Sequence, residues 1–391
     1  MTKSLDKSIT TQTGPTALSR LCFSVLISLA VIGPFMLQSV FAESSASFRG
    51  YFEGRYYFFP QVGDYDYDLQ HRFRPELILY WADMISITAV VNVSKNFGLS
   101  DEIETDDFKQ GFSLERLYVD YSRGQYDLRI GKQAINYGSA QIWNPVNFVD
   151  ANTIIDFNVE KKGVNAIRLA RTISDLSNIF FVLSYPVEDD ERTLSFIGTN
   201  ILVGNTEIKV FLGDNRVAEE FLYGLDLKGD FVVGFWFEGA YHQNEFQDEE
   251  TEDYYSYVVG VDYSFPLFET LYLAVQFHED SSGATAVEDY DFGAYITGER
   301  TFLGRRYFSF MGMLNFSENY SCGFNALYNH HDESILLNPI MSAIIRDDWT
   351  ISVGATLFSG SEPGEFNPGE DYPLADILPD YLIYFFLKYN F

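Results

Sequence analysis

The chain has 391 residues, of which 47% are hydrophobic and 17% aromatic, yet its formal net charge is −30. These apolar and aromatic side chains can bury too much surface for a disordered acidic chain. Lys and Arg number 26 against 56 Asp and Glu. The basic surface typical of a nucleic-acid-binding protein is therefore not expected, and nucleic acid is excluded as a partner.

The N-terminal segment differs from the rest of the chain. Basic residues precede an apolar run at 21–37, and the small residue Ala42 follows it. This order is typical of a secretory signal peptide, so we expect residues 1–42 to be cleaved off and residues 43–391 to form the mature protein. The alternative is an uncleaved anchor helix, which Gly33 and Pro34 inside the run disfavour.

Beyond this segment the apolar side chains alternate with period two, as in half-buried strands, and no run approaches the roughly 20 apolar residues of a membrane helix. The pattern predicts about 18 strands, or 16 if the weak segments between 192 and 213 are misread. The predicted strands are 48–59, 68–81, 84–96, 111–122, 125–133, 163–173, 177–186, 192–201, 205–213, 219–228, 230–243, 254–265, 270–279, 302–316, 319–329, 333–345, 348–359 and 381–391.

Charge is concentrated on the polar face of the early strands. The arginines opposite the apolar positions are Arg49, Arg55, Arg72, Arg74, Arg116, Arg129 and Arg168, and the carboxylates near them are Glu53, Glu76, Asp120 and Asp127. Later strands place Asp226, Glu238 and Asp262 on the same face. Two interpretations stay open: charged walls that create a transverse field for passing solutes, or arginines paired with the four carboxylates as structural packing.

The connection 134–162 is unlike the other long connections. Asp150 and Asp156 are its only charges between 134 and 159, and it contains the large or polar side chains Tyr137, Trp143 and Asn144. The acidic connections, by contrast, are 101–107 and 248–253, which suit solvated surface. We expect 134–162 to fold inward and narrow the structure. The alternative is a loop against the rim or a neighbouring subunit, which leaves a homo-oligomer open.

A short motif in this region carries a family resemblance. Gly131-Lys132-Gln133-Ala134-Ile135-Asn136-Tyr137-Gly138, followed by Asn144-Pro145, resembles a Gly-Arg/Lys-Gln and Trp/Tyr-Gly run of poorly characterised proteobacterial porin-like barrels. The similarity covers only roughly 20 residues, so it indicates the class of protein and says little about the substrate.

Features of an enzyme are not evident. The histidines are His71, His242, His278, His330 and His331, and none lies in a metal motif such as H-E-x-x-H. The sequence contains no glycine-rich phosphate loop of the P-loop type. We therefore expect no catalytic site, no metal and no cofactor.

The C-terminal strand carries a second resemblance. Its outward positions are Tyr381, Ile383, Phe385, Leu387, Tyr389 and Phe391. An alternating aromatic strand that ends on Phe391, with Tyr389 before it, resembles the C-terminal assembly signal of Gram-negative outer-membrane barrels. The alternative is the terminal core strand of a soluble sandwich. The resemblance implies an all-β transmembrane antiparallel barrel with short periplasmic turns and long external loops.

Together the resemblances imply an outer-membrane porin-like channel for passive diffusion of small hydrophilic solutes. The charged face would line its pore, and 134–162 would be its constriction loop. Expected partners are outer-membrane lipid, lipopolysaccharide, the barrel-assembly machinery acting on the last strand, and the solutes. Two alternatives stay open: a plugged structural or adhesion barrel with acidic external loops, and a dedicated outer-membrane transporter of one substrate.

Overall fold

A computed structural model describes residues 44–62, 65–81, 83–98, 111–149, 163–185, 193–216, 218–244, 252–296, 300–367 and 381–391. These residues form one sheet of 18 strands. The strands are β1 (Ser44–Val62), β2 (Tyr65–Trp81), β3 (Ile85–Gly98), β4 (Gly111–Arg123), β5 (Tyr126–Gln133), β6 (Val164–Ser174), β7 (Ser177–Ser184), β8 (Leu194–Val203), β9 (Thr206–Asn215), β10 (Glu220–Asp230), β11 (Gly234–Asn244), β12 (Tyr254–Phe265), β13 (Thr270–Asp280), β14 (Arg306–Ser317), β15 (Tyr320–Asn329), β16 (Ile335–Ile345), β17 (Trp349–Ser359) and β18 (Tyr381–Asn390).

The sheet closes on itself. Each strand pairs antiparallel with its neighbours in sequence, and β1 pairs both with β2, where Phe52 lies opposite Phe73, and with β18, where Phe52 lies opposite Tyr389. The predicted all-β antiparallel barrel is confirmed. The 16-strand alternative is wrong, because β8 and β9 pair continuously from Leu194 opposite Asn215 to Val203 opposite Thr206.

The two faces of the sheet follow the alternation in the sequence. On β13, Val275 is 46% exposed on the outer face, whereas its neighbours Ala274 and Gln276 are buried in the interior. The same contrast separates Phe310 from Ser309 on the adjacent strand. Alternate strand residues point to opposite faces, so the outer surface is apolar and the polar residues collect inside.

The two rims of the barrel differ. Ser44, the first described residue, and Phe391 lie at the turn rim, where the links 124–125 and 204–205 are two residues long and Gly124 and Gly204 adopt a positive φ of 62°. The opposite rim, called the loop rim here, carries the connections 99–110, 134–163, 281–305 and 360–380. This alternation matches the prediction.

Helical structure is confined to one loop-rim connection among the described residues. A 3-10 turn spans Val287–Asp289, and a short α-helix spans Phe292–Ile296. Within the described part of the chain, no helix has the length and apolar character needed to cross a bilayer. The predicted signal peptide at 1–42 lies outside the described residues.

The C-terminal residue completes the seam between first and last strands. The backbone groups of Phe391 and Gly50 exchange two hydrogen bonds of 3.0 Å. The Phe391 ring stacks on Phe73 at 5.7 Å and approaches Phe48 at 5.6 Å, while Tyr389 contacts Trp349 at 4.9 Å. Both residues of the predicted assembly signal therefore lie on the outer face at the closing seam.

Candidate pore constriction

The connection after β5 enters the barrel and packs on its inner wall. Residues 134–149 are described, and Ile135 and Val146 join a buried apolar cluster with Phe180, Phe196 and Phe211 of β7–β9. This sector of the inner wall is apolar, so covering it removes apolar surface from water. The predicted inward loop is therefore present in 134–149, whereas Asp150 and Asp156 lie outside the described residues.

One buried carboxylate anchors the loop. Glu238 of β11 is fully buried, and its Oε2 accepts hydrogen bonds from the backbone N–H groups of Ser139 (2.9 Å) and Ala140 (3.0 Å). Its Oε1 accepts one from the N–H of Val146 at 3.0 Å. A single side chain thus satisfies three backbone donors of an irregular segment, which would otherwise be costly to bury.

Tyr137 fixes the beginning of the loop. Its ring stacks on Phe180 with parallel planes at 4.6 Å and meets Phe196 edge to face at 5.5 Å. Its hydroxyl accepts a hydrogen bond of 3.2 Å from Nε of Arg168 on β6. The ring therefore holds the loop on the apolar sector and also joins it to one of the predicted arginines.

Trp143 fixes the middle of the loop further around the barrel. Its ring stacks on His278 of β13 at 4.9 Å and contacts Tyr307 of β14 at 5.9 Å. The N–H of Gln141 donates to Oε1 of Gln276 at 3.0 Å. Contacts of the loop thus extend from Arg168 on β6 to Tyr307 on β14, which leaves the interior faces of the first strands opposite to it.

Gly138 makes the sharp bend that the anchor requires. Its φ is 99°, a conformation that favours glycine. A Cβ at this position would collide with Oδ1 of Asn144 and with the Glu238 carboxylate. Asn144, the other predicted loop residue, donates from Nδ2 to Oδ1 of Asn136 at 3.3 Å, which joins the two ends of the bend.

The expectation that an acidic wall faces the arginines across the pore is corrected. Asp226 lies directly opposite Glu238 in the sheet, but both are buried beneath the loop, with Asp226 only 1% exposed. Asp226 Oδ2 accepts hydrogen bonds from Lys209 Nζ (3.0 Å) and from Ser139 Oγ (2.9 Å). Of the three predicted acids only Asp262 is partly exposed, and it accepts from the Tyr272 hydroxyl.

The predicted arginines lie on the interior face of β1–β6 and form what we call the arginine wall. Four of them contact carboxylates. The pairs are Arg49 with Glu76 at 2.6 Å, Arg55 with Glu53 at 2.9 Å, Arg74 with Glu115 at 2.5 Å and Arg129 with Asp120 at 2.6 Å. Asp127 differs from the expectation, because it accepts a hydrogen bond from Ser122 and has no arginine within ion-pair distance among the described residues.

The other three arginines have no carboxylate partner in the described part of the chain. These are Arg72, Arg116 and Arg168, and the buried Nε of Arg116 has no hydrogen-bond acceptor among the described residues. Arg168 lies directly opposite Arg129 across β5 and β6. The wall therefore contains four arginines paired with carboxylates and three arginines without a carboxylate partner among the described residues, so it carries more positive than negative charge.

Two residues of the wall were missed by the sequence interpretation. Glu115, the partner of Arg74, lies at a register shift in the pairing of β3 and β4, between the paired residues Leu114 and Arg116, and the alternation alone does not place it inside. Lys388 on β18 holds its Nζ 3.9 Å from the ring centre of Tyr51, on the interior face. The sequence did contain a signal for this placement. Lys388 has an even number in the C-terminal strand, whereas the outward aromatic residues have odd numbers, so its side chain points to the interior.

Aromatic rings support the cationic side chains of the wall. The Arg129 guanidinium lies 4.3 Å from the Tyr118 ring centre, and that of Arg55 lies 5.3 Å from Phe386. Such contacts hold each guanidinium flat while its edge pairs with a carboxylate, Glu53 for Arg55 and Asp120 for Arg129. As to metals, no group of three or more His, Cys, Asp or Glu side chains within the described residues is arranged to hold an ion.

The barrel is similar to solved outer-membrane protein structures. Pseudomonas aeruginosa OccK5 (OpdH) matches with a TM-score of 0.60 at 9% identity over 90% of this chain and 98% of that one. A double variant of OccD1 (OprD) matches with a TM-score of 0.61 at 10% identity, over 90% of this chain and 96% of that one. The outer membrane protein OprD from Pseudomonas aeruginosa matches with a TM-score of 0.56 at 9% identity, over 88% of this chain and 93% of that one.

This chain has the OprD and Occ barrel fold. At these identities the likeness concerns the fold alone, and it agrees with the resemblance to porin-like barrels found in the sequence. No protein-family model matches the sequence, and no curated protein matches it either.

Proposed function

We propose that the protein is an outer-membrane channel through which small hydrophilic solutes diffuse passively between loop 134–149 and the arginine wall. The observation that carries this proposal is the loop itself, which Glu238 anchors inside a closed barrel opposite cationic side chains. Inward-folded loops of this kind reduce a wide barrel to a passage whose lining selects solutes. The OprD and Occ fold supports the same class of function.

The outer surface supports a location in a membrane. Large apolar side chains are exposed around the barrel, with Phe52 at 48%, Val261 at 48% and Ile383 at 47%. Such a continuous apolar surface would aggregate in water but matches the hydrocarbon core of a bilayer. Closure leaves no unpaired sheet edge in lipid. The predicted signal peptide and the C-terminal strand ending in Tyr389 and Phe391 fit export and barrel assembly.

The passage should favour solutes that carry an anionic group. Arg72, Arg116 and Arg168 are free of carboxylate partners among the described residues, while Asp226 and Glu238 lie buried beneath the loop. A guanidinium edge binds carboxylate or phosphate oxygens in a fixed geometry. The acidic runs at 101–107 and 248–253 belong in sequence to loop-rim connections and not to the strands that carry the arginine wall.

The experiment is a reversal-potential measurement across a planar bilayer in a KCl gradient. We expect anion preference for the wild type and a shift toward cation preference for the triple variant R72Q/R116Q/R168Q. The matched control is R49Q/E76Q, because it removes a paired arginine together with its carboxylate, leaves the net charge of the wall unchanged, and should change selectivity less. Cation preference that is the same in wild type and triple variant would contradict the role of the arginine wall.

A second candidate is a dedicated transporter of one substrate, which the likeness to Occ and OprD barrels favours over a plugged adhesion barrel. Solute-induced block of the ion current distinguishes the two kinds of channel. A dedicated transporter would show saturable block by one class of solute, whereas a general channel would pass small solutes in order of size and charge.

A further inference from the structure

A cationic pair lies on the outer face of the barrel at the loop rim, away from the passage. Glu279 of β13 accepts hydrogen bonds from Arg305, with Nη2 to Oε1 at 2.8 Å, and from Arg306, with Nε to Oε2 at 3.1 Å. Two guanidinium groups thus share one carboxylate and leave an excess of one positive charge. The chain as a whole has a net charge of −30, so this pair differs in sign from the overall charge.

Both guanidinium groups keep binding capacity. Arg305 uses Nε and Nη2 for Glu279 and Tyr255, and Arg306 uses Nε and Nη2 for Glu279. Their Nη1 atoms have no hydrogen-bond partner among the described residues, and the Arg306 side chain is 42% exposed. The pKa of nearby His331 is lowered by partial burial and by the positive charges of His330, Arg306 and Arg305, with Asp332 opposing.

An apolar groove begins beside this cationic pair. It has a volume of about 560 Å³ and lies on the outer face of β9–β12. Its floor is Gly239, which lacks a side chain where its neighbours carry large ones: Leu225 is directly opposite on one side and Tyr257 on the other. Tyr223 and Tyr241 flank the groove toward the loop rim.

The groove and the cationic pair belong to one row of the sheet. Tyr257 lies directly opposite Glu279, and Glu279 lies directly opposite Arg306. Neighbouring strands are about 4.8 Å apart, so Gly239 and Arg306, three strands apart, are separated by roughly 14 Å along this row. Tyr255 and Tyr257 line the groove, and their hydroxyls also donate to Glu279 at 3.3 and 3.2 Å.

We infer that this surface binds a phosphorylated membrane lipid, with an acyl chain in the groove over Gly239 and a phosphate on Arg305 and Arg306. An apolar groove that ends in a cationic pair matches a ligand with an apolar chain joined to an anionic headgroup. Tyrosines that contact both parts lie at the depth where interfacial aromatic residues meet lipid headgroups. The inference rests on the proposed membrane location, and it concerns a face separate from the passage.

Native mass spectrometry of the purified mature protein in detergent, with bis-phosphorylated lipid A as the probe, tests this site. We expect one lipid A to remain bound to the wild type, and R305Q/R306Q to lower the affinity about tenfold or more because two charge-assisted contacts are lost. E279Q should raise the affinity, because it removes the carboxylate that competes with phosphate for the two arginines. If Glu279, Arg305 and Arg306 only stabilised the fold, both R305Q/R306Q and E279Q would instead lower lipid A binding.

The groove is tested by G239L, which fills its floor. The matched control is G312L, because Gly312 also lies on the outer face and a Cβ there would meet only ordinary contacts. R171Q, at the turn rim, is the control for loss of an outward arginine. We expect G239L to weaken lipid A binding and both controls to retain it.

Three results would overturn the inference: equal binding by wild type and R305Q/R306Q, equal binding of dephosphorylated lipid A, or inorganic phosphate binding as tightly as lipid A. Channel conductance of the same variants separates this inference from the proposed function, because Arg305, Arg306 and Gly239 do not line the passage. Loss of lipid binding with unchanged conductance would support the lipid site on its own.

Discussion

Glu238 anchors loop 134–149 inside the barrel. Its two oxygens accept hydrogen bonds from Ser139, Ala140 and Val146, and no other side chain takes three backbone donors of 134–149 in the described contacts. The neighbouring Asp226 holds the side chain of Ser139. The sequence suggested that Glu238 contributes to a transverse field. In the structure its carboxylate is instead an anchor for the loop.

Replacing this anchor should loosen the loop. In E238Q the amide nitrogen would face backbone N–H groups, and each buried donor left unsatisfied costs about 1 to 3 kcal/mol. We expect a larger and noisier single-channel conductance in planar bilayers, together with a lower melting temperature. The control is E269Q at an exposed turn-rim position. Identical current noise in E238Q and wild type would show that the loop is held by its apolar contacts alone.

Glu365 forms a second buried carboxylate site, outside the strands. Its Oε2 accepts hydrogen bonds from the hydroxyl of Tyr307 (2.5 Å) and from Asn329 Nδ2 (2.8 Å), and its Oε1 accepts one from the N–H of Leu303 (3.1 Å). Its own N–H donates to Asp332 at 2.7 Å. These bonds join three loop-rim connections. Burial and the Asp332 charge raise the pKa of Glu365 to about 7, although its hydrogen bonds favour the charged form.

The stability of this loop cluster should therefore depend on pH. The pKa of Glu365 is above its ordinary value of 4.5, so the folded form binds the proton more tightly than the unfolded form. The resulting stability is fully present below pH 4.5, is lost as the pH rises through 7, and stays constant above that. Hydrogen exchange of amides 329–334, corrected for intrinsic rates, should show greater protection at pH 5 than at pH 8. E365Q should remove this difference, and a difference that persists in E365Q would assign it to another group.

At the scale of elements, the inward course of loop 134–149 depends on one backbone bend. Gly138 has a φ of 99° and lies against both Asn144 and Glu238. Gly124, in the turn between β4 and β5, also has a positive φ, 62°, but a Cβ there would meet open space. The two glycines therefore separate the cost of backbone strain from the cost of a steric collision.

We expect G138A to displace the loop and G124A to leave it in place. Both variants should lose about 1 kcal/mol of stability from the unfavourable φ of alanine. Only G138A should also raise single-channel conductance, because its methyl group would push the bend away from Glu238. Equal conductance in the two variants would mean that the bend does not control the passage.

Much of the sheet could be predicted from alternation, because lipid-facing and interior positions differ strongly in polarity. The predicted strand 254–265 coincides with β12, for example. The predicted strand starts were wrong where contacts within a connection or a turn set the backbone conformation. Strand β14 begins at Arg306 and not at 302, because the preceding residues pair with Ala284 of the same connection. Strand β11 begins at Gly234, because 231–233 form the turn.

The candidate site was only partly predictable. The low charge of 134–162 indicated an inward loop, and the alternation of residues along the strands placed the arginines on one face. This alternation could not show that the loop would cover Glu238, because their contacts join residues 92 to 99 positions apart in the sequence. Nor could it assign Glu115 to Arg74, since a register shift changes the face at that point.

At the scale of the molecule, charge is separated by location. The net charge of −30 coexists with an arginine wall in the interior and a cationic pair on the outer face. The acidic sequence runs at 101–107 and 248–253 belong to loop-rim connections. Net charge is therefore a poor guide to what the proposed channel would conduct, and we expect the arginines nearest loop 134–149 to decide its selectivity.

The most direct measurement is single-channel conductance of the purified mature protein in a planar bilayer, compared with a variant lacking residues 138–149. The proposed channel predicts stepwise currents for the wild type and a larger conductance for the deletion, because the loop occupies part of the barrel interior. Absence of current at any voltage would contradict the channel function. Currents of equal size in the two proteins would contradict the constriction by the loop.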